Sequence, residues 1–278
     1  MRSRLLKTED YNQLAAGRDG YFLYNRNDQF IGRAIEKYGE FSGLEMDLLR
    51  QFCAPGNVVM EVGANIGAHT VGLARLVGSH GRVLAFEPQR LVFQTLCANV
   101  ALNSLENVDC FWAAVGSQDG VVTVPDLNPR QEYNFGGVTL LGVQAGEQVP
   151  CLTLDRFIAL PRVNVIKIDV EGMEADVLHG SEQVLRKFKP ILYVENDRLE
   201  KSEALMRLIA GFGYRMYWHL PPMFNPNNFF SSSENSYGDI VSANLLCLHR
   251  DSDIRVSDFQ EIVDFSFHPC RPSAPGPR

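Results

Sequence analysis

Two stretches of the sequence gather residues that can do chemistry. The first is VVMEVGANIGAHTVGLA, residues 58–74, where an apolar run meets Glu61, Gly63, Asn65 and Gly67 before a helical pattern begins. Strand, glycine-rich turn and helix in that order form the place where open α/β sheets hold nucleotide-like ligands. A dinucleotide fingerprint laid from Gly63 finds Asn65 where the middle glycine should let backbone approach a pyrophosphate, and Ala68 at the third place. NAD and FAD therefore fit poorly. A ligand without phosphates but with an adenosine and an amino-acid end fits better. Gly63 and Gly67 permit a tight turn, while Glu61 and Asn65 offer polar contacts to an ammonium and a carboxylate. S-adenosylmethionine answers that description. Glu87 closes a second strand run, where an acid accepts hydrogen bonds from ribose hydroxyls. His69 and Thr70 lie in the first turn of the helix, whose amides favour a carboxylate, and Thr70 is the stronger candidate.

The second stretch is VNVIKIDVEGMEADVLHG, residues 163–180, which sets Asp169 and Glu171 at the carboxyl end of a strand run, the sheet edge where ligands sit. Carboxylates there can orient a nucleophile, act as a general base or bind a metal. The same residues, before Gly172 and a helix start, also suit helix capping. The next strand run, ILYVENDR, ends on Glu195 and Asn196, opposite Asp169. Asp169, Glu195 and Asn196 make a candidate site for a hard cation such as Mg²⁺; a metal-free clamp on substrate hydroxyls is the preferred reading. Asn134, within QEYNFGGVTL, and His219, within YWHLPP, lie in expected loops that can reach the same mouth as substrate contacts.

These residues need a scaffold, and the pattern around them supplies one. Strand runs at Val58–Val62, Val83–Phe86, Val108–Val115, Val163–Val170 and Ile191–Val194 alternate with helical periodicity at 67–77, 88–103, 174–188 (broken at Gly180) and around Leu205, Leu208, Ile209 and Phe212. Such alternation predicts an α/β fold with a mostly parallel sheet and helices on both faces. Tyr214–Trp218 and Ile240–Leu248 have no helix between them and are expected to pair antiparallel at one edge. Residues 117–152, rich in Gly and Pro, read as a hairpin-like insertion. Residues 1–55 read as a helical cap and 56–250 as the catalytic domain. Residues 219–240, with Phe224, Phe229, Phe230 and Tyr237, form a possible lid, and 251–278 a tail whose end, RPSAPGPR, is expected to be disordered.

Composition limits the partners. With 45% hydrophobic and 21% charged residues, the chain is of globular type, which excludes collagen-like, coiled-coil and wholly disordered readings. Twenty-six Lys and Arg against 33 Asp and Glu leave a net charge of −7, which disfavours free nucleic acid as a partner. The six cysteines show no CxxC pair and read as reduced thiols of a cytoplasmic protein without a secretion signal. No apolar run reaches membrane-spanning length.

Taken together, EVGANIGAHT, GRVLAFEPQ, NVALN at 99–103, LTLDRF at 152–157 and above all KIDVEGMEADVLHG resemble the FkbM family of S-adenosylmethionine-dependent methyltransferases over about residues 57–200. The resemblance implies the class I methyltransferase (Rossmann-like) fold and methylation of a hydroxyl on a small molecule or glycan, commonly a sugar or polyketide product. It carries Glu61, Gly63, Asn65, Gly67, Thr70 and Glu87 over as cofactor contacts. Ala114 and Asp169 join that set, and Asp169 and Glu171 become the active-site acids. Three rivals are set beside it: a nicotinamide oxidoreductase, a non-catalytic S-adenosylmethionine-binding partner domain, and an N-methyltransferase. Asn65 disfavours the first. The acids argue against the second, and the third lacks its Asn/Asp-Pro-Pro-Tyr signature, since the Pro-Pro here is HLPPMF.

Overall fold

The structure is a computed structural model that describes residues 4–7 and 9–271. It opens with three strands, β1 (Arg4–Lys7), β2 (Asn12–Ala16) and β3 (Tyr21–Asn25), which form an antiparallel sheet. Helices α1 (Ile31–Tyr38) and α2 (Gly43–Phe52) follow. The helical expectation for residues 1–55 is thus corrected for its first half. Phe22 and Tyr24 are buried alternately along β3, a period of two, and the tight link Gly17–Gly20 returns the chain.

Then come β4 (Val58–Val62), α3 (Thr70–Val77), β5 (Arg82–Phe86), α4 (Arg90–Leu102) and β6 (Val108–Phe111). The run expected as one strand to Val115 breaks after Phe111. Trp112 turns aside to donate to the Pro88 carbonyl (2.9 Å), and β7 (Ala114–Val115) enters a different sheet. There β9 (Glu147–Leu152) pairs parallel with β7 and antiparallel with β8 (Gly120–Val124). The chain finishes with β10 (Val165–Ile168), α5 (Glu174–His179), α6 (Glu182–Phe188), β11 (Ile191–Glu195), α7 (Leu199–Gly211), β12 (Tyr214–His219) and β13 (Asn244–His249).

The central sheet has the order β12-β13-β11-β10-β4-β5-β6, parallel except for β13, which is antiparallel to both of its neighbours. Every residue of β4 and β10 is buried, as both faces of a covered parallel sheet require. One face carries α2 and α3, whose Met46, Leu49, Leu73 and Val77 pack on Val59, Val83 and Val165. The other carries α5, α6 and α7 on Met60, Ile166, Leu192 and Leu245. This is the expected α/β architecture of a class I methyltransferase. From β4 the chain winds outward through β5 and β6, then returns to β10 and winds the other way. The crevice between the carboxyl ends of β4 and β10 is the switch point at which such sheets bind ligands.

Beyond β13, residues 251–271 form no helix or strand, yet they pack. Ile262 N donates to the Met216 carbonyl (2.8 Å), and the ring of His268, itself buried, meets the Asn196 carbonyl (2.8 Å). The disorder expected of RPSAPGPR, residues 271–278, falls outside the described residues except at Arg271, whose amide donates to the His268 carbonyl (3.1 Å).

Candidate active site

At the end of β4 the chain turns through Gly63 (φ +83°), Asn65 (φ +50°) and Gly67 (φ +84°). A Cβ on Gly63 would stand 1.8 Å from the Asp169 carbonyl oxygen, so only glycine lets the tips of β4 and β10 meet here. Asn65 tolerates its left-handed backbone, and its side chain accepts from the Ile66 amide (2.8 Å). The Glu87 carboxylate, at the end of β5, accepts from the Asn65 amide (3.0 Å) and the Gln89 amide (2.8 Å). Burial pushes Glu87 up to about 7, against those two amides, which favour its anion.

Gly63, Asn65, Glu87, Ala114, Asn134, Asp169 and Glu171 all border one cavity of about 260 Å³ at the switch point. Glu61, Gly67 and Thr70 do not. The Thr70 hydroxyl donates to the Glu61 carboxylate (2.6 Å), and both residues are buried, so this pair ties the first turn of α3 to β4 beneath the turn. His69 is likewise buried, and burial lowers it to about 3.

The acids at the strand tips differ in state. Asp169 loses solvation, but the Lys167 ammonium, bonded to it at 2.8 Å, outweighs that and holds it below the usual carboxylate range. Glu195 sits among Asp169, Glu171 and Asp197; burial first, then those charges, push its carboxyl well up. Its Oε2 is buried with no partner. Glu171, in a left-handed conformation (φ +54°), is pushed up to about 7 by burial and by Asp169, against the pull of Arg198, which donates to it (2.5 Å). The capping alternative for Glu171 is not what forms, since Glu174 accepts from the Gly172 amide instead (2.9 Å).

Asp169, Glu171 and Glu195 bring one carboxylate oxygen each within 4.8 Å of one another. The cation set expected from sequence is not assembled. Asn196 is buried and turned away, donating to the Ser202 hydroxyl (2.9 Å). His219 is the last residue of a strand rather than part of a loop; its ring meets the Tyr193 hydroxyl (2.8 Å) and does not border the cavity. Asn134 does border it, with its Oδ1 occupied by the Gly136 (3.2 Å) and Gly137 (3.1 Å) amides.

Sequence reading missed two charged residues here. Lys167 is buried in the middle of the apolar strand β10, level with Glu61 on one side and Tyr193 on the other. A lysine inside a Val/Ile run is itself a signal, because a buried ammonium must be paired. Glu45, a buried acid of α2, borders the cavity and accepts from the Asn244 side chain (3.3 Å). Nothing local to its sequence marks it.

The site suits S-adenosylmethionine: a glycine turn that lets the tips of β4 and β10 meet, a buried carboxylate at the end of β5, and acids at the tip of β10. Among solved structures the chain is similar to the FkbM methyltransferase from Methylobacillus flagellatus KT (17% identity, 73% of this chain and 50% of that one, TM-score 0.44). It is also similar to Aeropyrum pernix fibrillarin with bound S-adenosyl-L-methionine (10% identity, 89% and 99%, TM-score 0.45). Among curated proteins it is similar to Methyltransferase 1 of Beauveria bassiana (strain ARSEF 2860), at 27% identity over 143 residues, which are 44% of this chain and 57% of that protein. Methyltransferase sdnD of Sordaria araneosa is 25% identical over 159 residues, 45% of this chain and 60% of that protein. The chain thus spans less than two thirds of the length of either. A family model described as "Methyltransferase FkbM domain" matches residues 61–216, more than half of the chain and both stretches that carry the site, and the chain therefore belongs to the FkbM family of S-adenosylmethionine-dependent methyltransferases.

Proposed function

We propose that the protein is an O-methyltransferase acting on a hydroxyl of a small-molecule or glycan acceptor, such as a sugar. The observation that carries this reading is the placement of Asp169 and Glu171 on the same cavity as Gly63 and Glu87, so that acceptor and cofactor sites are contiguous. S-adenosylmethionine, when bound, supplies an electrophilic methyl group. Glu87 would accept from its ribose hydroxyls, and Gly63, Asn65 and Ala114 would line it closely. A neutral hydroxyl is a weak nucleophile and needs its proton shared or removed. Asp169, kept anionic by Lys167, orients that hydroxyl as a hydrogen-bond acceptor. Glu171 receives the proton. Holding both partners in one cavity supplies the remainder of the rate by proximity. The six cysteines are all free, which fits a reducing, cytoplasmic setting, and no described helix is long and apolar enough to cross a membrane.

Turnover of S-adenosylmethionine to S-adenosylhomocysteine, measured against a panel of hydroxylated acceptors, tests the assignment. Asp169→Asn and Glu171→Gln should each lower turnover about 10²- to 10⁴-fold, the range of positioned acid–base groups, with S-adenosylhomocysteine affinity retained. Full activity in Asp169→Asn would remove Asp169 from the reaction. A chelator should leave the wild type unchanged; activity lost to chelator and restored by Mg²⁺ would replace the clamp with a cation on Asp169, Glu171 and Glu195.

A further inference from the structure

One side of the cavity is contributed by chain outside the family-matched residues 61–216, and apart from Ser42, Glu45 and Ser242 that side is apolar. Phe30, Ile31 and Phe41 come from α1 and its flanks, and Met223, Ile240 and Val241 from the link between β12 and β13. Ile240 and Val241 are 47% and 41% exposed, although Tyr237 and Ala243 on either side of them are buried. They are not loosely held. The Met223 amide donates to the Ile240 carbonyl (2.9 Å), and Val241 forms an antiparallel bridge with Pro222. Phe224 and Tyr237, two of the aromatic residues of the 219–240 segment read from sequence as a lid, brace this wall from behind. Phe224 packs edge-on against Tyr38 (5.5 Å between centroids), and the Tyr237 hydroxyl donates to the Phe30 carbonyl (2.7 Å).

Fixed apolar side chains left open to water inside a recess favour whatever covers them. The recess is continuous with the turn at Gly63 and with the acids, so its occupant must extend from the point of methyl transfer. We infer that this wall seats an apolar body of the acceptor, making the substrate class a hydroxyl-bearing molecule with a hydrocarbon or aromatic portion rather than a bare monosaccharide. The inference rests on the O-methyltransfer reading for the role of the hydroxyl, while the wall itself can be probed independently. A second copy of the chain is the weaker occupant, because Phe30, Phe41 and Met223 lie within a concave pocket rather than on a flat face.

The test titrates the whole chain with N-phenyl-1-naphthylamine, a neutral apolar fluorophore, with and without saturating S-adenosylhomocysteine. Saturable binding at one site is expected, displaced by 1-decanol and not by glucose. The double variant Ile240→Asp/Val241→Asp should weaken it about tenfold or more, the loss expected for two buried aliphatic contacts. Val263→Asp, which alters an exposed apolar residue away from the cavity, should not. Both altered positions in the double variant are exposed, and the milder Ile240→Ser should weaken binding in the same direction. Absence of saturable binding, equal loss in Val263→Asp, displacement by glucose, or a concentration-dependent dimer that excludes the fluorophore would each overturn the inference. Calorimetry with S-adenosylhomocysteine keeps the two readings apart: a chain that binds the fluorophore but not S-adenosylhomocysteine retains the wall and loses the methyltransferase site.

Discussion

Glu61 and Thr70 share a hydrogen bond of 2.6 Å in a place that water does not reach, one strand away from the Lys167 ammonium. Burial pushes the Glu61 carboxyl up to about 7, with Lys167 and Thr70 pulling the other way. In the unfolded chain the same group ionises near its ordinary value of 4.5. Between those two values the folded protein binds more protons than the unfolded one, so stability falls as pH rises from about 4.5 to about 7. Below that window Glu61 is neutral in both states and contributes no pH dependence. Glu61→Gln preserves an acceptor for Thr70 and removes the charge. It should match the wild type in urea unfolding at pH 4.5 and exceed it at pH 8 by up to about 3 kcal/mol, at 1.4 kcal/mol per pK unit. A difference between the two proteins that does not grow with pH would mean that Glu61 is already ionised in the fold. An ionised Glu61 is what the cofactor contact read for it from sequence requires.

At the scale of elements, the turn between β4 and α3 and the tip of β10 form one joint. Its glycine can be compared with another in the same conformation. Gly63 (φ +83°) would drive a Cβ to 1.8 Å from the Asp169 carbonyl, whereas Gly56 (φ +85°) has nothing within 4 Å. Gly56→Ala should therefore cost only the left-handed backbone, about 1 kcal/mol. Gly63→Ala should add overpacking and cost about 3 kcal/mol or more in denaturant unfolding. It should also lose S-adenosylhomocysteine binding, because the turn at Gly63 and the tip of β10 are forced apart. Equal costs at the two positions would show that the joint yields freely. This joint was legible in the sequence because its signals are local: a glycine-rich turn after a Val-rich run, and a carboxylate after a second such run. Parity was the part not read. Neighbouring residues of a strand face opposite sides, so Glu195 and Asn196 cannot both reach the cavity from the end of β11. Glu195 faces it and Asn196 faces Ser202 of α7, which leaves Glu171 as the third oxygen donor beside Asp169.

At the scale of the whole molecule, the least legible part is the one that closes the site. The parallel strands announce themselves as apolar runs, but the three short strands before α1 alternate over only five residues each in β2 and β3, too little to stand out from a helical reading. The long-range role of α2 leaves no local trace either. Its Met46, Leu48 and Leu49 are buried on the sheet with Val59, Val83, Val165 and Tyr193, while Glu45, one turn from Leu49, borders the cavity. The N-terminal segment therefore covers one face of the sheet as well as walling the site. Full burial of three such side chains is worth about 5–9 kcal/mol, comparable with the whole stability of an ordinary domain of 5–15 kcal/mol. A chain cut to residues 56–250 is accordingly expected to be aggregated or to lack a cooperative thermal transition by circular dichroism, although it retains every residue of the family match. Residues 56–250 also lose the segment 251–271, so a second truncation to 56–278 assigns the effect. If that longer piece unfolds cooperatively and binds S-adenosylhomocysteine, the N-terminal segment, α2 included, is a detachable cover. If it fails as the shorter one does, the N-terminal segment belongs to the folding core, and the segment that walls the site also holds the fold.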